Sequence, residues 1–288
     1  MKKKILITGG TGYLGRNLAI NLKDNFNVVV AGRNNYLNKE AELVTGCVSI
    51  PLDISNIESV RDAFNLTKPD IVIHAAATKY VDISENNPFE CLDVNVLGSQ
   101  NVARVAIDKE VELVIGISTD KTAPPVSNTY GLSKAIMERV FYNLSNKFST
   151  KFISVRFGNI VWSTGSVFPI WKKMMEVDGK IFSTGPNMRR FFFNVEDASK
   201  LVIRVLNNYN ILNGKIISMK MKSAEISNIL DVWCKIFNIN WEKIDERSGD
   251  KIDENLIGQN EIKNSYLQTI DEIEHIIIDY NESFHNIF

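Results

Sequence analysis

A short apolar β pattern, Ile5-Leu6-Ile7, runs directly into Thr8-Gly9-Gly10-Thr11-Gly12-Tyr13-Leu14-Gly15, after which the periodicity becomes helical. Glycines at 9, 12 and 15 permit a tight turn, close approach of the backbone to a pyrophosphate, and close packing of helix on strand. The helix N-terminus that follows points its free N–H groups at the phosphates. Because the loop opens a strand–helix unit, it reads as a dinucleotide site contacted by Gly9, Thr11, Gly12, Tyr13, Leu14 and Gly15.

The same alternation continues downstream. Val28-Val29-Val30, Val48-Ser49-Ile50, Ile71-Val72-Ile73, Leu113-Val114-Ile115 and Phe152-Ile153-Ser154-Val155 are nearly unbroken apolar runs, as strands covered on both faces require. Helix-like segments lie around 13–24, 56–66, 92–109 and 128–147. Right-handed crossovers then place helices on both sides of a parallel sheet, a Rossmann-type, doubly wound α/β fold. After about residue 160 the pattern loosens into aromatic and glycine-bearing loops, before a helix-like 196–207, a strand-like Lys215-Ile216-Ile217-Ser218 and a helix near 223–237. Residues 1–160 are therefore expected to form the dinucleotide domain, its sheet completed from 191–219, and residues 161–288 a smaller substrate lobe.

Charge excludes other classes. Lys+Arg 33 against Asp+Glu 34 give a formal net charge of -1, no field for a nucleic-acid backbone or an anionic membrane. Cys47, Cys91 and Cys234 lack CxxC spacing, and His74, His275 and His285 never pair at metal-ligand spacing, which disfavours disulfide and zinc scaffolds. No apolar run is long enough for a signal-peptide core or a membrane span, so the cytoplasm is the expected location.

The second strand ends in Gly32-Arg33, without the acid that would hold the ribose 2′-hydroxyl of NAD. Arg33 suits a 2′-phosphate, so NADP is expected over NAD, although an isolated arginine is more often simply solvated. Asp53 is either a contact to the adenine edge or the N-cap of the next helix. Strand five ends Ser118-Thr119-Asp120-Lys121, and Tyr130-x-x-x-Lys134 follows at one-turn spacing on a helix pattern. An ammonium there can lower the phenol's pKa and hold the nicotinamide ribose. On its own the pair also fits a solvated helix face; beside the glycine loop it reads as catalytic.

These residues resemble the extended short-chain dehydrogenase/reductases, through Thr8–Gly15, His74-Ala75-Ala76-Ala77, Asn95 and Tyr130-x-x-x-Lys134. More narrowly, Ala75-Ala76-Ala77-Thr78-Lys79-Tyr80-Val81, Glu85-Asn86-Asn87-Pro88, Ser118-Thr119-Asp120-Lys121, Arg156-Phe157-Gly158-Asn159 and Gly165-Ser166-Val167-x-Pro169 are similar to the 4,6-dehydratases of UDP-N-acetylglucosamine. Met188-x-Arg190-Phe191 and Arg247-x-Gly249-x-Lys251-x-x-Glu254-x-Leu256-Ile257 fit the same group. The Thr-Asp-Lys triplet is the most specific element: the resembling dTDP-glucose dehydratases carry Thr-Asp-Glu, and epimerases usually lack the acid pair.

The resemblance implies Ile54, Ala75, Ala76, Ala77, Lys79 and Asn95 around the cofactor. It implies Lys79, Asn159, Ser166, Val167, Arg190, Arg247 and Glu254 around a UDP-sugar, with the two arginines near the diphosphate. Tyr130, helped by Lys134 and Thr119, would take the 4-hydroxyl proton as C4 gives up hydride; Lys121 would then remove the C5 proton and Asp120 protonate the departing C6 hydroxyl. That role asks for an uncharged Lys121 and a protonated Asp120. Thr164, Arg189 and Ser248 depart from the family's usual Arg, Thr and Pro, which leaves the exact sugar and nucleotide open. Many members carry an N-terminal membrane region; this chain starts at the first strand and is expected to be a soluble form, a homo-oligomer joined through 89–107 and 135–144. A 4-epimerase or ketosugar reductase, or a non-catalytic dinucleotide sensor, are the alternatives.

Overall fold

A computed structural model of the chain describes residues 2–245, 251–257 and 265–287. Five βα units and a sixth strand come first, beginning with β1 (Lys4–Thr8), α1 (Tyr13–Leu22), β2 (Asn27–Gly32), α2 (Asn35–Thr45), β3 (Val48–Pro51), α3 (Ile57–Thr67) and β4 (Ile71–His74). Two short helices, α4 (Val81–Asn86) and α5 (Pro88–Leu92), lead through a π-helical turn, Asp93–Leu97, into α6 (Gly98–Asp108). Then come β5 (Leu113–Thr119), a 3₁₀ turn (Asp120–Thr122), α7 (Thr129–Ser145) and β6 (Lys151–Phe157).

The strands form one sheet in the order β3, β2, β1, β4, β5, β6, and every neighbouring pair is parallel. Successive side chains of a strand point to opposite faces. Ile5 and Ile7 accordingly enter one core with Leu18 and Val202, while Leu6 enters the other with Val102 and Phe141. Both faces being covered explains why the strands read as unbroken apolar runs. Strand order reverses between β1 and β4, and a crevice opens beyond their carboxyl ends, where ligands of such sheets bind.

The remainder builds a lobe over that crevice from β7 (Asn159–Ile160), α8 (Val167–Asp178), β8 (Lys180–Ser183) and β9 (Arg189–Phe193), whereas α9 (Val195–Asn207), followed by α10 (Tyr209–Leu212), returns to pack on the main sheet beside α1. It ends with β10 (Ile216–Ile217), β11 (Ser223–Glu225), α11 (Ile226–Phe237), β12 (Asn240–Lys243) and α12 (Ile270–Ile287). From the 191–219 stretch only β10 joins the main sheet, beside β6; β9 instead lies between β7 and β11 in a separate sheet. Trp162, Phe168, Trp171 and Trp233 form an aromatic core, with ring centroids 5.6–6.1 Å apart along the contacts of Phe168 with the tryptophans. No helix among the described residues is long and apolar enough to cross a membrane.

Candidate active site

The crevice holds a cavity of about 480 Å³, running from the glycine loop to the Ser163–Ser166 loop of the lobe. Gly9 sits at φ +68° and presses on the β4 loop: a Cβ there would lie 2.6 Å from Ala76 N. Gly12 differs. It precedes α1, and an added Cβ would meet only Gly9 O, at 3.3 Å. Internal packing therefore does not demand glycine at 12; its bare backbone preserves space at the cavity wall where a pyrophosphate fits. Buried Arg16 fixes the loop by donating Nε to Thr11 O at 2.9 Å. The residues present thus fit a dinucleotide.

Around this end stand Tyr13, Leu14, Gly15, Arg33, Asp53 and Ile54, with Ala75, Ala76, Ala77 and Lys79 on the β4 loop. Arg33 is at the rim, its side chain 66% exposed and 4.0 Å from Glu90. Asp53 is not the helix cap. Asn56 caps α3 by accepting from Glu58 N and Ser59 N, and Asp53 Oδ1 instead accepts from Ser55 N and Oγ, which leaves Asp53 on the cavity wall.

Asn95 does not line the cavity. The π-helical turn aims it into the protein, where Oδ1 accepts from Thr78 N and Nδ2 donates to Thr78 O and Ser133 Oγ, all at 2.9 Å. It holds the β4 loop against α7, so its part is to place the wall, not to touch the ligand. Beneath it His74 is fully buried. Ser99 Oγ donates to Asn95 O, so the ring must donate through Nε2 to Ser99 and accept from Thr8 Oγ1 through Nδ1, at 3.0 and 2.8 Å. Burial, with Lys134 nearby, lowers the ring's pKa to about 3.

Thr119, Lys121, Tyr130 and Lys134 converge on the inner end of the cavity. Strand β5 delivers Thr119, the 3₁₀ turn delivers Asp120 and Lys121, and Asn128 starts α7 by accepting from Gly131 N, which sets Tyr130 and Lys134 on one helix face. Asp120 is fully buried. Its Oδ1 accepts from Thr119 Oγ1 at 2.9 Å and from Lys121 Nζ at 3.0 Å, and its Oδ2 has no hydrogen-bond partner.

Two electrostatic expectations are corrected here. Burial pushes the Tyr130 phenol up to about 12, and the cation opposing that rise is Lys121, with a hydrogen bond from Thr119 helping. Lys134, the expected partner, is itself driven down to about 8 by burial, its Nζ against Met137 Sδ at 3.4 Å. Lys121 is not held uncharged: burial lowers its pKa, but Asp120 and Glu254 together outweigh burial and raise it.

Of the residues expected at the sugar nucleotide, Lys79, Asn159 and Ser166 line the cavity, and Ser166 Oγ is buried without a partner at the start of α8. Val167 instead packs into the aromatic core of the lobe. Arg190 is turned away from the cavity, its fork spent on Arg189 O, Lys251 O and Ile252 O. Glu254 is buried behind Lys121 and Asp120, and Arg247 lies outside the described residues. Sequence reading missed Glu138, whose carboxylate accepts from Ser118 Oγ and grips Arg156 at 2.7 Å. Its place four residues after Lys134, on the same helix face, was the available signal. It also missed Tyr80, whose ring fills the space over Gly165 and closes the wall between the two loops.

Over residues 5–275 the chain matches the family described as polysaccharide biosynthesis protein. It is 34% identical, over 96% of its length and 86% of the relative's, to an uncharacterised membrane protein of Methanocaldococcus jannaschii. The UDP-N-acetylglucosamine 4,6-dehydratase (inverting) of Campylobacter jejuni is also 34% identical, over 92% of this chain and 80% of the relative. A UDP-glucose 4-epimerase of Rickettsia bellii is 31% identical over 90% and 79%. Among solved structures, Pen from Bacillus thuringiensis superposes with a TM-score of 0.83 at 31% identity, over 89% of this chain and 81% of that one.

Proposed function

The chain belongs to the polysaccharide biosynthesis protein family of extended short-chain dehydrogenase/reductases, and from that premise we propose that it is a nucleotide-sugar 4,6-dehydratase converting UDP-N-acetylglucosamine to a 4-keto-6-deoxy sugar nucleotide. One observation carries the reading: an acid and an amine, Asp120 and Lys121, hydrogen-bonded at 3.0 Å beside Thr119 and Tyr130 at the end of β5. A 4-epimerase needs no such pair.

A bound nicotinamide dinucleotide supplies the acceptor that takes hydride from C4 and gives it back at C6. Gly9, Gly12 and the start of α1 would hold its pyrophosphate, and Lys134 its ribose. NADP is the proposed form, on the strength of Arg33 at the end of β2 where an acid would serve NAD. Tyr130 takes the 4-hydroxyl proton, with Thr119 and the Lys121 charge offsetting the burial that makes the phenol a reluctant acid.

With C4 a ketone, the C5 proton becomes acidic. Lys121 removes it while Asp120 protonates the leaving C6 hydroxyl. The ion pair and the neutral pair that these roles require differ only by one proton moved across the hydrogen bond, so no outside proton is needed. A sugar that seals the pair from water favours the uncharged arrangement. Lys79, Asn159 and Ser166 are the proposed contacts of the sugar and diphosphate. A homo-oligomer is proposed as well, because Phe89, Leu92, Leu97 and Ile136 leave apolar surface exposed on the 89–107 stretch and α7, which a second copy would cover.

Incubation with UDP-N-acetylglucosamine and a panel of other UDP- and dTDP-hexoses, read by mass spectrometry, tests the reading. A product lighter by one water is expected. A product of unchanged mass favours the epimerase reading, which the Rickettsia relative supports; stoichiometric consumption of reduced dinucleotide would mark a reductase.

A further inference from the structure

The side chains proposed to react come from two separate elements. The end of β5 and its 3₁₀ turn bring Thr119, Asp120 and Lys121, and α7 brings Tyr130 and Lys134, so the chemistry depends on how the turn sits against the helix. Beside Tyr130 the two nearly touch: a Cβ on Gly131 would collide with Lys121 O, so a bare backbone is needed there. Steric contact limits approach but leaves the register of turn and helix open.

Glu138 supplies the directional tie. It stands one helical turn beyond Lys134, and its Oε1 accepts from Ser118 Oγ at 2.5 Å. Thr122 Oγ1, which donates to Thr119 O at 2.7 Å, lies 3.3 Å from the same oxygen. Ser118 and Thr122 are the residues on either side of Thr119-Asp120-Lys121, so one carboxylate reaches both ends of the segment. Arg156 on β6 completes the arrangement, Nε donating to Oε1 at 2.8 Å and Nη2 to Oε2 at 2.7 Å. Both oxygens are thus met, although Glu138 is only 4% exposed. A buried ion pair stabilises a fold little more than apolar side chains of the same volume would, but apolar side chains cannot copy its directionality.

We propose that Glu138 is a positioning residue for the reaction, holding the Thr119–Lys121 turn in register with Tyr130 through its hydrogen bond from Ser118. Glu138 does not line the cavity, so it acts only through the residues it holds. The proposal deepens the dehydratase reading and rests on it: Thr119 must sit beside Tyr130 for oxidation at C4, and Asp120 and Lys121 must face the same sugar for loss of water.

The test uses the full chain as Ser118→Ala, which cuts the tie and leaves the Glu138–Arg156 pair whole, and as Ser118→Thr, which keeps the hydroxyl on a residue suited to a strand. The first readout needs no turnover. Amide hydrogen exchange in a peptide spanning 117–123, followed by mass spectrometry, should quicken roughly 3- to 10-fold in the Ala variant and stay near wild type in the Thr variant. The second is a single turnover of dinucleotide-loaded protein with UDP-N-acetylglucosamine. Formation of dehydrated product should slow roughly 10- to 100-fold in the Ala variant, the cost of reacting groups displaced by a fraction of their contact distance, and the Thr variant should recover most of it. Half-saturating concentrations of sugar and dinucleotide should stay near wild type, which a general loosening of the site would not allow.

Wild-type exchange or wild-type turnover in the Ala variant overturns the proposal, as does a Thr variant as slow as Ala, or slowing matched by lost dinucleotide affinity. Combining Ser118→Ala with Glu138→Gln tests the route: the pair should be no slower than Glu138→Gln alone, and additive losses count against it. Should either Glu138→Gln or Ser118→Thr not fold, Ser118→Ala decides. If the wild-type chain removes water from no sugar, the dehydratase reading falls, and hydrogen exchange at the turn still decides whether Glu138 holds it.

Discussion

Replacing Lys134 by methionine should make the protein more stable while removing its activity. The ammonium is 2% exposed, its recorded contact is the Met137 sulfur at 3.4 Å, and burial lowers its pKa from 10.5 to about 8. The unfolded chain therefore binds this proton more tightly than the folded one. Below pH 8 the folded state carries the full cost, about 3 kcal/mol from the size of that displacement. The cost shrinks as pH rises through the window, to about 1.4 kcal/mol at pH 9.5, and is gone above 10.5. Methionine keeps the length of the side chain and removes the charge, and Glu138 retains Arg156 as its partner. Urea unfolding of wild type and Lys134→Met at pH 7 and 9.5 measures the difference. A gain of about 2–3 kcal/mol at pH 7, roughly halved at pH 9.5, is expected, with turnover abolished. Destabilisation by more than about 1 kcal/mol, or a gain that does not change with pH, would refute the reasoning.

Three further outcomes are expected from the same physical reasoning about buried charge and close packing. His74 is held neutral with a pKa of about 3 against 6.5 when unfolded, so the unfolded chain gains a proton first; stability should fall by about 1.4 kcal/mol per pH unit from 6.5 toward 3, and His74→Gln should flatten that slope in urea melts. Gly12→Ala should weaken dinucleotide binding about tenfold or more in calorimetry with little change in melting temperature, whereas Gly9→Ala, at φ +68° and 2.6 Å from Ala76 N, should lower the melting temperature itself. Arg33→Ala should cost NADP affinity and leave NAD affinity nearly unchanged; equal losses for both would show that Arg33 does not read the 2′-phosphate.

The parallel sheet, and the gathering of Thr119, Lys121, Tyr130 and Lys134 at one end of the cavity, were legible because both are written in local order: apolar runs, a glycine loop, and a Tyr-Lys pair one turn apart. Helix α2 was not, because its pattern is inverted. Tyr36 and Leu43 are over 70% exposed while Asn38 and Thr45 are buried. Its caps were the better signal, with Asn34 accepting from Tyr36 N and Leu37 N, and Gly46 left-handed at φ +69°. Helix α8 read as part of an aromatic and glycine-bearing loop, and its Pro169 stands in the first turn, where a missing N–H costs nothing. Arg190 and Glu254 were found by motif but assigned to the wrong neighbours. Their partners lie 61 residues away for Arg190, and on a turn more than a hundred residues earlier for Glu254, and no spacing rule reaches that far. The pKa directions at Tyr130 and Lys121 were misjudged for a related reason, since they depend on how deeply the phenol is buried and on the charge of Glu254, far away in sequence.

The path of one hydrogen decides most directly between dehydration and epimerisation. With UDP-N-acetylglucosamine carrying deuterium at C4, the dehydratase reading expects product lighter by one water with that deuterium in the C6 methyl group, as NMR would show. Deuterium still at C4 of a product that has kept all its oxygens would contradict it.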